Sequence, residues 1–433
     1  MNESKKTDVI VVGAGPAGIS AAITIARGGK KVVLIERGKF SGSKNVFGGA
    51  IYIQPTKEIF PDFEKSAPLE RRNVEHKFAV LTEDEATIVS HKDKKPKFGS
   101  YTVIRAKFDR WMTEEAKKEG VYFVEETVVR ELIQSDGRVI GVKTELEDYY
   151  ADIVILADGV NSLLAKSIGL RKDIETKDVA LSVKEVLKLD KEKINERFNL
   201  SAEEGCIYEI FGGSMLGMLG LGFMYTNKDS VSIGLGITLN ELVEKKIRPF
   251  ELLDKLKAHP AIAPLIKDGE LIEYSAHLIP EGGYKKLPKL YSDGVMIAGD
   301  AGMLVNNLHW EGTNLAMISG KLAGETSLAA LNKNEFSASM LSEYQKKLEN
   351  SFVLKDLKTY QNLMDIMHDR KTSFLEYYFK KINEFFEMFT AVDSIPKHKK
   401  YIDFIKKFLT ERKISELFKD GLSVIRLLWS ILK

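Results

Sequence analysis

Two glycine-rich turns carry the most chemistry in this chain, and they lie far apart along it. The first is Gly13-Ala-Gly15-Pro16-Ala17-Gly18, directly after the apolar run at residues 8–12. The second is Gly299-Asp300-Ala-Gly302, directly after the run at residues 294–298. Glycines between a β-branched run and a helix let backbone amides approach a diphosphate. Gly13 suits the tight turn, Gly15 the close approach, and Gly18 the packing of helix on strand. The helix N-terminus adds unpaired N–H groups and partial positive charge. Glu36 closes the next apolar run, where a carboxylate accepts from a ribose 2′-hydroxyl and repels a 2′-phosphate. Asp300 suits the hydroxyls of a ribityl chain. Asp158-Gly159 ends a further apolar run and reads either as a second such acid or as a plain Asp–Gly turn. One glycine turn can be purely structural, whereas two with an acid at this spacing point to FAD.

Residues 8–12, 16–27 and 31–36 read as strand, helix and strand, with Gly28-Gly29 as the helix stop. Residues 101–105 and a helix from Asp109 follow, with Asp109 as its N-cap. Residues 121–129, 139–146 and 152–156 read as strands, with Ser135-Asp136-Gly137 as a hairpin turn. From about residue 179 to 284 the runs alternate and are broken by turns such as Thr226-Asn227-Lys228-Asp229-Ser230, which predicts an antiparallel sheet. A buried parallel strand returns at 293–298, then a helix at about 312–331 and a helical tail. The expected fold is therefore α/β: a Rossmann-like FAD-binding domain, an inserted antiparallel-sheet substrate domain and a helical C-terminal tail. The FAD-binding domain is expected over residues 1–75, 101–178 and 286–331, the substrate domain over 76–100 and 179–285, and the tail over 332–433.

The 433 residues are 44% hydrophobic and 29% charged, an ordinary globular balance over a length that suits two or three domains. A net charge of +2 gives nucleic acid no electrostatic footing as a partner. The single cysteine, Cys206, excludes an internal disulfide, an iron–sulfur cluster held by this chain and paired-thiol flavin chemistry. It reads as a small buried apolar residue. No metal-ligand spacing is present. Residues 1–7 lack a signal-peptide apolar region, and no apolar stretch reaches the eighteen or so residues of a spanning helix. The expectation is a cytoplasmic protein that meets a membrane from one side.

Four segments together resemble the electron-transfer-flavoprotein:quinone oxidoreductases, most closely their FixC-like branch, over roughly residues 8–330. They are Glu36-Arg37-Gly38 with Ser41-Gly42-Ser43-Lys44-Asn45-Val46; Val103-Ile-Arg105-Ala-Lys-Phe-Asp109-Arg-Trp111; Ser275-Ala-His277-Leu-Ile-Pro280-Glu281-Gly-Gly-Tyr284; and Gly299-Asp300-Ala with Gly312-Thr313-Asn314. The resemblance implies FAD between the two domains, touched by Arg37, Lys44, Asn45, Val46, Gly48, Arg105 and Val128 besides the turns. It implies that Gly312, Thr313 and Asn314 offer amides to the flavin pyrimidine edge, a placement that stabilises negative charge on reduced flavin. It implies a quinone pocket lined by residues 217–225, with Gly220, Leu221, Gly222 and Phe223 closest and Tyr284 nearby. The same segment also reads as a core hairpin.

His309 and Glu311, in the loop 306–311, are the catalytic candidates, since a group titrating near neutrality relays protons well. His309 reads first as a structural histidine and second as a proton relay, and His277 and Glu281 share that ambiguity. In the tail, Phe374, Tyr377, Tyr378, Phe385, Phe386 and Phe389 fall at helical spacings ahead of Lys397, Lys399, Lys400, Lys406 and Lys407. Such helices suit a membrane surface, a partner protein or plain internal packing. The expected function is FAD-dependent electron transfer from electron-transfer flavoprotein subunits to menaquinone or ubiquinone, beside a small ferredoxin-like iron–sulfur subunit and in an assembly open to electron bifurcation. A geranylgeranyl-type lipid reductase is the alternative. A docking subunit with structural FAD and an aromatic hydroxylase are lesser readings.

Overall fold

The computed structural model of the protein describes residues 6–44, 48–96, 99–215 and 217–432. The chain divides into two compact units, one of residues 1–72, 97–179 and 277–361, the other of 73–96, 180–276 and 362–433. Three of the divisions fall inside single strands, Leu69–Leu81, Val179–Lys188 and Glu270–Pro280.

The first unit is built on a sheet in which Val295–Ile297, Asp148–Leu156, Lys6–Val12, Val32–Ile35 and Tyr122–Val124 run parallel in that order. Their apolar runs are continuous because both faces are covered. Val9 and Val11 enter one core with Leu34, Ile153, Ile155 and Met296, whereas Ile10 and Val12 enter another with Val33, Ile35, Val154 and Leu156. This is the period of two that a strand imposes. Asp148–Leu156 also pairs antiparallel with Arg138–Thr144, which forms a hairpin with Val129–Ser135. The turn at Asp136 (φ 51°) and Gly137 (φ 80°) has the left-handed pair that a two-residue hairpin requires.

Helix Pro16–Arg27 starts with proline in its first turn, stops at Gly28, and buries Ile19, Ile23 and Ile25. Each isoleucine side chain contributes roughly 1.5–3 kcal/mol by leaving water. Helix Thr313–Lys333 lies against it, and the contact is made of small residues. A Cβ at Gly320 would overlap the Ala17 carbonyl, and one at Gly324 would lie 2.9 Å from the Ala21 oxygen. These glycines let two backbones touch.

Three details differ from expectation. Helix Arg105–Lys118 begins four residues before Asp109, with Ile104 at its N-cap; Asp109 sits inside it because it pairs with Arg105 one turn earlier. The strand expected at 121–129 is only Tyr122–Val124, and Glu126 at φ 50° breaks the extended run. Helices Ala338–Asn350 and Phe352–Thr359 pack within the first unit, to which they give Leu341, Tyr344, Leu348 and Val353. The Tyr344 hydroxyl donates to the Ile297 carbonyl at 2.9 Å.

The second unit holds an antiparallel sheet in the order Glu270–Pro280, Val179–Lys188, Ser230–Thr238, Gly220–Thr226, Glu204–Gly212 and Leu69–Leu81, with Ala86–Lys92 on the last. Leu252, Leu253 and Leu256 of helix Pro249–Ala258 share a core with Ile210, Met224, Ile233 and Cys206. Burial pushes the Cys206 thiol up to about 12, so it packs as an apolar group. Beyond residue 362 come helices Leu363–Lys371, Tyr378–Thr390, Lys397–Thr410 and Ile414–Ile431, the first two joined by a π-helical turn at Thr372–Tyr377. Asp420, buried, ties this bundle together: Arg412 lies 3.0 Å from it, and the Tyr378 hydroxyl donates to it at 3.0 Å. The same helices expose Phe386, Phe389, Ile405, Phe418, Ile425 and Trp429. Among the described residues no helix is long and apolar enough to cross a membrane, and no group of three or more His, Cys, Asp or Glu residues could hold a metal ion.

Candidate functional site

The two glycine turns meet in the first unit. Gly13, at φ 97°, crosses so close to the Ala157 carbonyl that no side chain fits, and Gly18 packs on the Gly13 carbonyl in the same way. Gly15 is different: a Cβ there would meet nothing within 4 Å. Its backbone faces open space at the start of the Pro16–Arg27 helix, whose first turn has no side-chain cap. That is the geometry of an anion cradle, with donors present and room left in front of them. Gly299, at φ 64°, sits with a would-be Cβ 2.8 Å from that of Ala17. Pro16 and Ala17 thus lie where the turns converge.

Glu36 ends its strand beside the first turn. Its Oε2 accepts from the Ala14 amide at 2.9 Å and its Oε1 from the Gly38 amide at 2.7 Å, so both oxygens are oriented while each keeps a lone pair free. The Glu36 carbonyl accepts from the Thr127 amide, which places Val128 next to this corner. Arg37 and Lys44 are exposed. Asn45 and Val46 lie outside the described residues.

Arg105 is the best-held charge in the site. Its guanidinium grips Asp109 in a two-bond fork at 2.7 and 2.8 Å, with its remaining Nη1 3.3 Å from the Thr313 hydroxyl. A Cβ at Gly48 would lie 3.5 Å from that hydroxyl and 3.8 Å from the guanidinium, so Gly48, Arg105 and Thr313 converge. His277 and Asp300 lie close to each other, Nε2 to Oδ2 at 4.0 Å, with side chains still 22% and 26% accessible. Burial, helped by Arg105 and Arg37, pushes the His277 imidazole down to about 4, so it is neutral at pH 7. Burial pushes Asp300 up to about 6, against the pull of Arg105 and Arg171. Asp158 is likewise held up at about 6 by burial, partly offset by a 2.8 Å bond from the Ser162 hydroxyl. Groups deep enough to be perturbed yet still accessible line a cleft rather than a packed core.

Arg171 was not singled out from the sequence, where it reads as a surface residue after Gly169-Leu170. It is 5% exposed, its Nη1 donates to the Ala301 carbonyl at 2.9 Å, and its Nε and Nη2 are buried without hydrogen-bond partners among the described residues. Its charge couples to both Asp158 and Asp300.

From the second turn the chain runs through Met303 (φ 58°) to the loop in which Asn306 and Glu311 bridge backbone to backbone. Asn307 donates to the Glu281 carboxylate and to the Glu281 carbonyl, both at 2.7 Å. Glu311 accepts from the Asn314 amide at 3.1 Å. His309 is exposed and lies 3.3 Å from the Tyr360 hydroxyl. Gly312 caps helix Thr313–Lys333 without a side-chain bond, which leaves the first amides of that helix available. Tyr284, also in this unit, packs on its core from the short turn Tyr284–Lys286.

In the second unit, strand Gly220–Thr226 is an inner strand and its two faces differ. Gly222 and Met224 face helix Pro249–Ala258; a Cβ at Gly222 would lie 3.3 Å from Leu256. Leu221, Phe223 and Tyr225 occupy the other face, with the Phe223 and Tyr225 rings stacked at 4.9 Å. Opposite them in register stand Gly236, Gly234 and Ser232. The Phe223 ring lies over Gly234, so this face is a packed apolar surface on which Leu221 and Tyr225 stay partly accessible.

The residues present fit a dinucleotide: an open cradle at Gly15, an oriented carboxylate at Glu36, and uncapped amides at Gly312. Comparison with known proteins agrees. Residues 8–167 match a family model described as FAD dependent oxidoreductase, 179–279 one described as ETF-QO, ubiquinone-binding, and 363–429 the ETF-QO/FixC family C-terminal domain. The protein FixC of Bradyrhizobium diazoefficiens is 42% identical, covering 96% of this chain and 98% of that one. A probable electron transfer flavoprotein-quinone oxidoreductase of Escherichia coli is 39% identical over 96% of this chain and 98% of its own length. Among solved structures, a geranylgeranyl bacteriochlorophyll reductase-like protein of Thermoplasma acidophilum superposes with TM-score 0.73 at 20% identity, covering 94% of this chain and 97% of that one, which shows the shared fold. The chain is an FAD-dependent oxidoreductase, and it belongs to the FixC family of electron-transfer-flavoprotein:quinone oxidoreductases.

Proposed function

We propose that the chain takes electrons from an electron-transfer flavoprotein and passes them through FAD to a membrane quinone, menaquinone or ubiquinone. The observation that carries this reading is the ubiquinone-binding match at residues 179–279, which spans strand Gly220–Thr226. Bound FAD supplies the redox centre, able to exchange electrons singly or in pairs. The protein supplies position and charge. The Gly13–Gly18 turn and Glu36 hold the dinucleotide end, Asp158, Gly159, Gly299 and Asp300 the middle, and Gly48, Arg105, Val128 and the amides of Gly312, Thr313 and Asn314 the flavin end. Arg105 cannot lose its proton, and Asp109 keeps it from swinging. Leu221 and Phe223 offer the quinone an apolar face, with Gly220, Gly222 and Tyr284 as further contacts. His309 and Glu311 exchange protons with solvent.

The exposed aromatic and aliphatic side chains of the last three helices, interspersed with lysines, support peripheral attachment to the cytoplasmic face of a membrane. With Cys206 the only cysteine, iron–sulfur transfer falls to a separate small subunit, in a FixABCX-like assembly where any bifurcation belongs to the partner flavoprotein.

The test is anaerobic. The flavin of the purified chain is reduced, a menaquinone analogue is added, and the oxidised-flavin absorbance is followed. Reoxidation that saturates with quinone concentration is expected. A linear dependence no faster than that of free flavin would overturn the reading.

A further inference from the structure

Most acids of the first unit that sit deep in the fold have a cation at hand. Asp109 has Arg105, Asp300 has Arg105 and Arg171, and Asp178 has Lys286 at 3.1 Å. Glu281 has none. Its Oε2 accepts from Asn307, and its Oε1 makes no hydrogen bond among the described residues. Its backbone is fixed on both sides: the amide donates to the Asp178 carbonyl at 2.7 Å, and the carbonyl accepts from the same Asn307 amide group. Gly283, at φ 62°, turns the chain away immediately afterwards.

The surrounding charges are accounted for. His277 stands on the strand that leads into Glu281, and Asp300 and Arg105 stand beside His277. Asp178 and Glu175 are both occupied by Lys286. On the loop that carries Asn307, Glu311 is bound by Asn314 and His309 lies beside Tyr360. None of these forms an ion pair with Glu281. Asn307, which holds Glu281, lies on the chain between the Gly299–Gly302 turn and the uncapped N-terminus at Gly312, the stretch assigned above to the middle and flavin end of FAD.

We propose that Glu281, aimed by Asn307, is the proton-carrying acid of this site: a carboxyl group whose protonation is coupled to the charge that electrons bring into the cleft. Burial without a cation pushes it up to about 8, which keeps it a neutral O–H donor at pH 7. Negative charge arriving nearby makes ionisation harder still. At a pH between the midpoint of the oxidised protein and the higher midpoint of the reduced protein, the entry of two electrons from the donor flavoprotein draws one proton from water onto Glu281. Departure of those electrons to the acceptor releases it. Below that range Glu281 stays protonated and offers a hydrogen bond.

This inference rests on the placement of FAD proposed above but not on quinone as acceptor, and retained flavin per chain reports separately on that placement. The test is the flavin midpoint potential of the full chain against pH, with an infrared difference spectrum of reduced minus oxidised protein. One extra proton per two electrons adds a tenfold change per pH unit, about 30 mV for a two-electron couple. Wild type is expected to show that added slope at mildly alkaline pH, together with a protonated-carboxyl band that shifts on reduction. Glu281→Gln keeps the shape and the Asn307 bond but cannot ionise, and should lose both signals. The Asn307 bond favours the carboxylate, so Asn307→Ala should move the break to higher pH. A Glu281→Gln profile superimposable on wild type would overturn the proposal. Should that variant lose its flavin, a wild-type difference spectrum without a carboxyl band does the same.

Discussion

Replacing Gly320 by alanine should separate the two halves of the cofactor cradle. A methyl group there would overlap the Ala17 carbonyl and lie 2.8 Å from its carbon, against the 3.4 Å at which ordinary contact begins. Relieving that carbon contact alone parts the helices by about 0.6 Å, and the nearer carbonyl oxygen demands more. Both neighbours are backbone, so no rotamer change relieves the clash. Overpacking costs about 1–3 kcal/mol, and the better helix propensity of alanine returns roughly 1 kcal/mol. A net loss of ~2 kcal/mol is expected, at the upper end because main chain must move. The parting also displaces Gly15 from Gly299, so affinity for FAD should fall at least tenfold, about 1.4 kcal/mol. Gly421→Ala is the control, since that glycine lies within helix Ile414–Ile431 with nothing within 4 Å of a Cβ. It should gain roughly 0.5–1 kcal/mol. Urea unfolding and flavin absorbance per chain read both quantities. If Gly320→Ala is as stable as wild type and keeps its flavin, close helix approach does not set the cradle.

Asp109→Ala strands the buried Arg105 guanidinium and should cost about 3–5 kcal/mol in urea unfolding, whereas the double change Arg105→Met with Asp109→Leu should recover much of it. Asp158 is raised in the fold, so its contribution to stability is present below pH 4 and lost as pH rises through about 6. Asp158→Asn should therefore gain on wild type between those values, by up to about 1.4 kcal/mol per pH unit, in flavin-free protein followed by thermal unfolding. Phe223→Leu removes the ring stacked on Tyr225 and should raise the quinone concentration at half-saturation roughly three- to tenfold, corresponding to about 0.5–1.5 kcal/mol, with flavin content unchanged. Phe386→Ser with Phe389→Ser and Trp429→Ser should weaken co-sedimentation with anionic vesicles, with little effect on soluble electron acceptors.

What the sequence made legible follows from what is local. Gly13, Gly15, Gly18 and Gly299 announce themselves because strand, turn and glycine are contiguous; the structure gives Gly13, Gly18 and Gly299 each a steric reason and leaves open space at Gly15. The helix at Arg105 was misplaced because an aspartate near a helix start satisfies the N-cap pattern equally well when it pairs one turn back. Arg171 was invisible for the opposite reason. Its burial comes from Ala301, more than a hundred residues away, and nothing in Gly-Leu-Arg-Lys distinguishes it from a surface arginine. Glu36 was read as a ribose acceptor, and its bonds to Ala14 and Gly38 add a structural duty that spacing alone does not reveal.

The first unit is assembled from three separated stretches of chain, and that constrains how it can be made. Lys6–Val12 has Asp148–Leu156 as one neighbour, and that strand waits for Val295–Ile297. Helix Pro16–Arg27 waits for Gly320. At ribosomal rates of 5–20 residues per second, the N-terminal helix emerges roughly 15–60 s before its partner exists. During that time apolar strand edges stand open, a state prone to mispairing. Synthesis of this protein should therefore lean on chaperones that bind nascent chains, and premature stops before residue 320 should yield insoluble fragments rather than a smaller working domain.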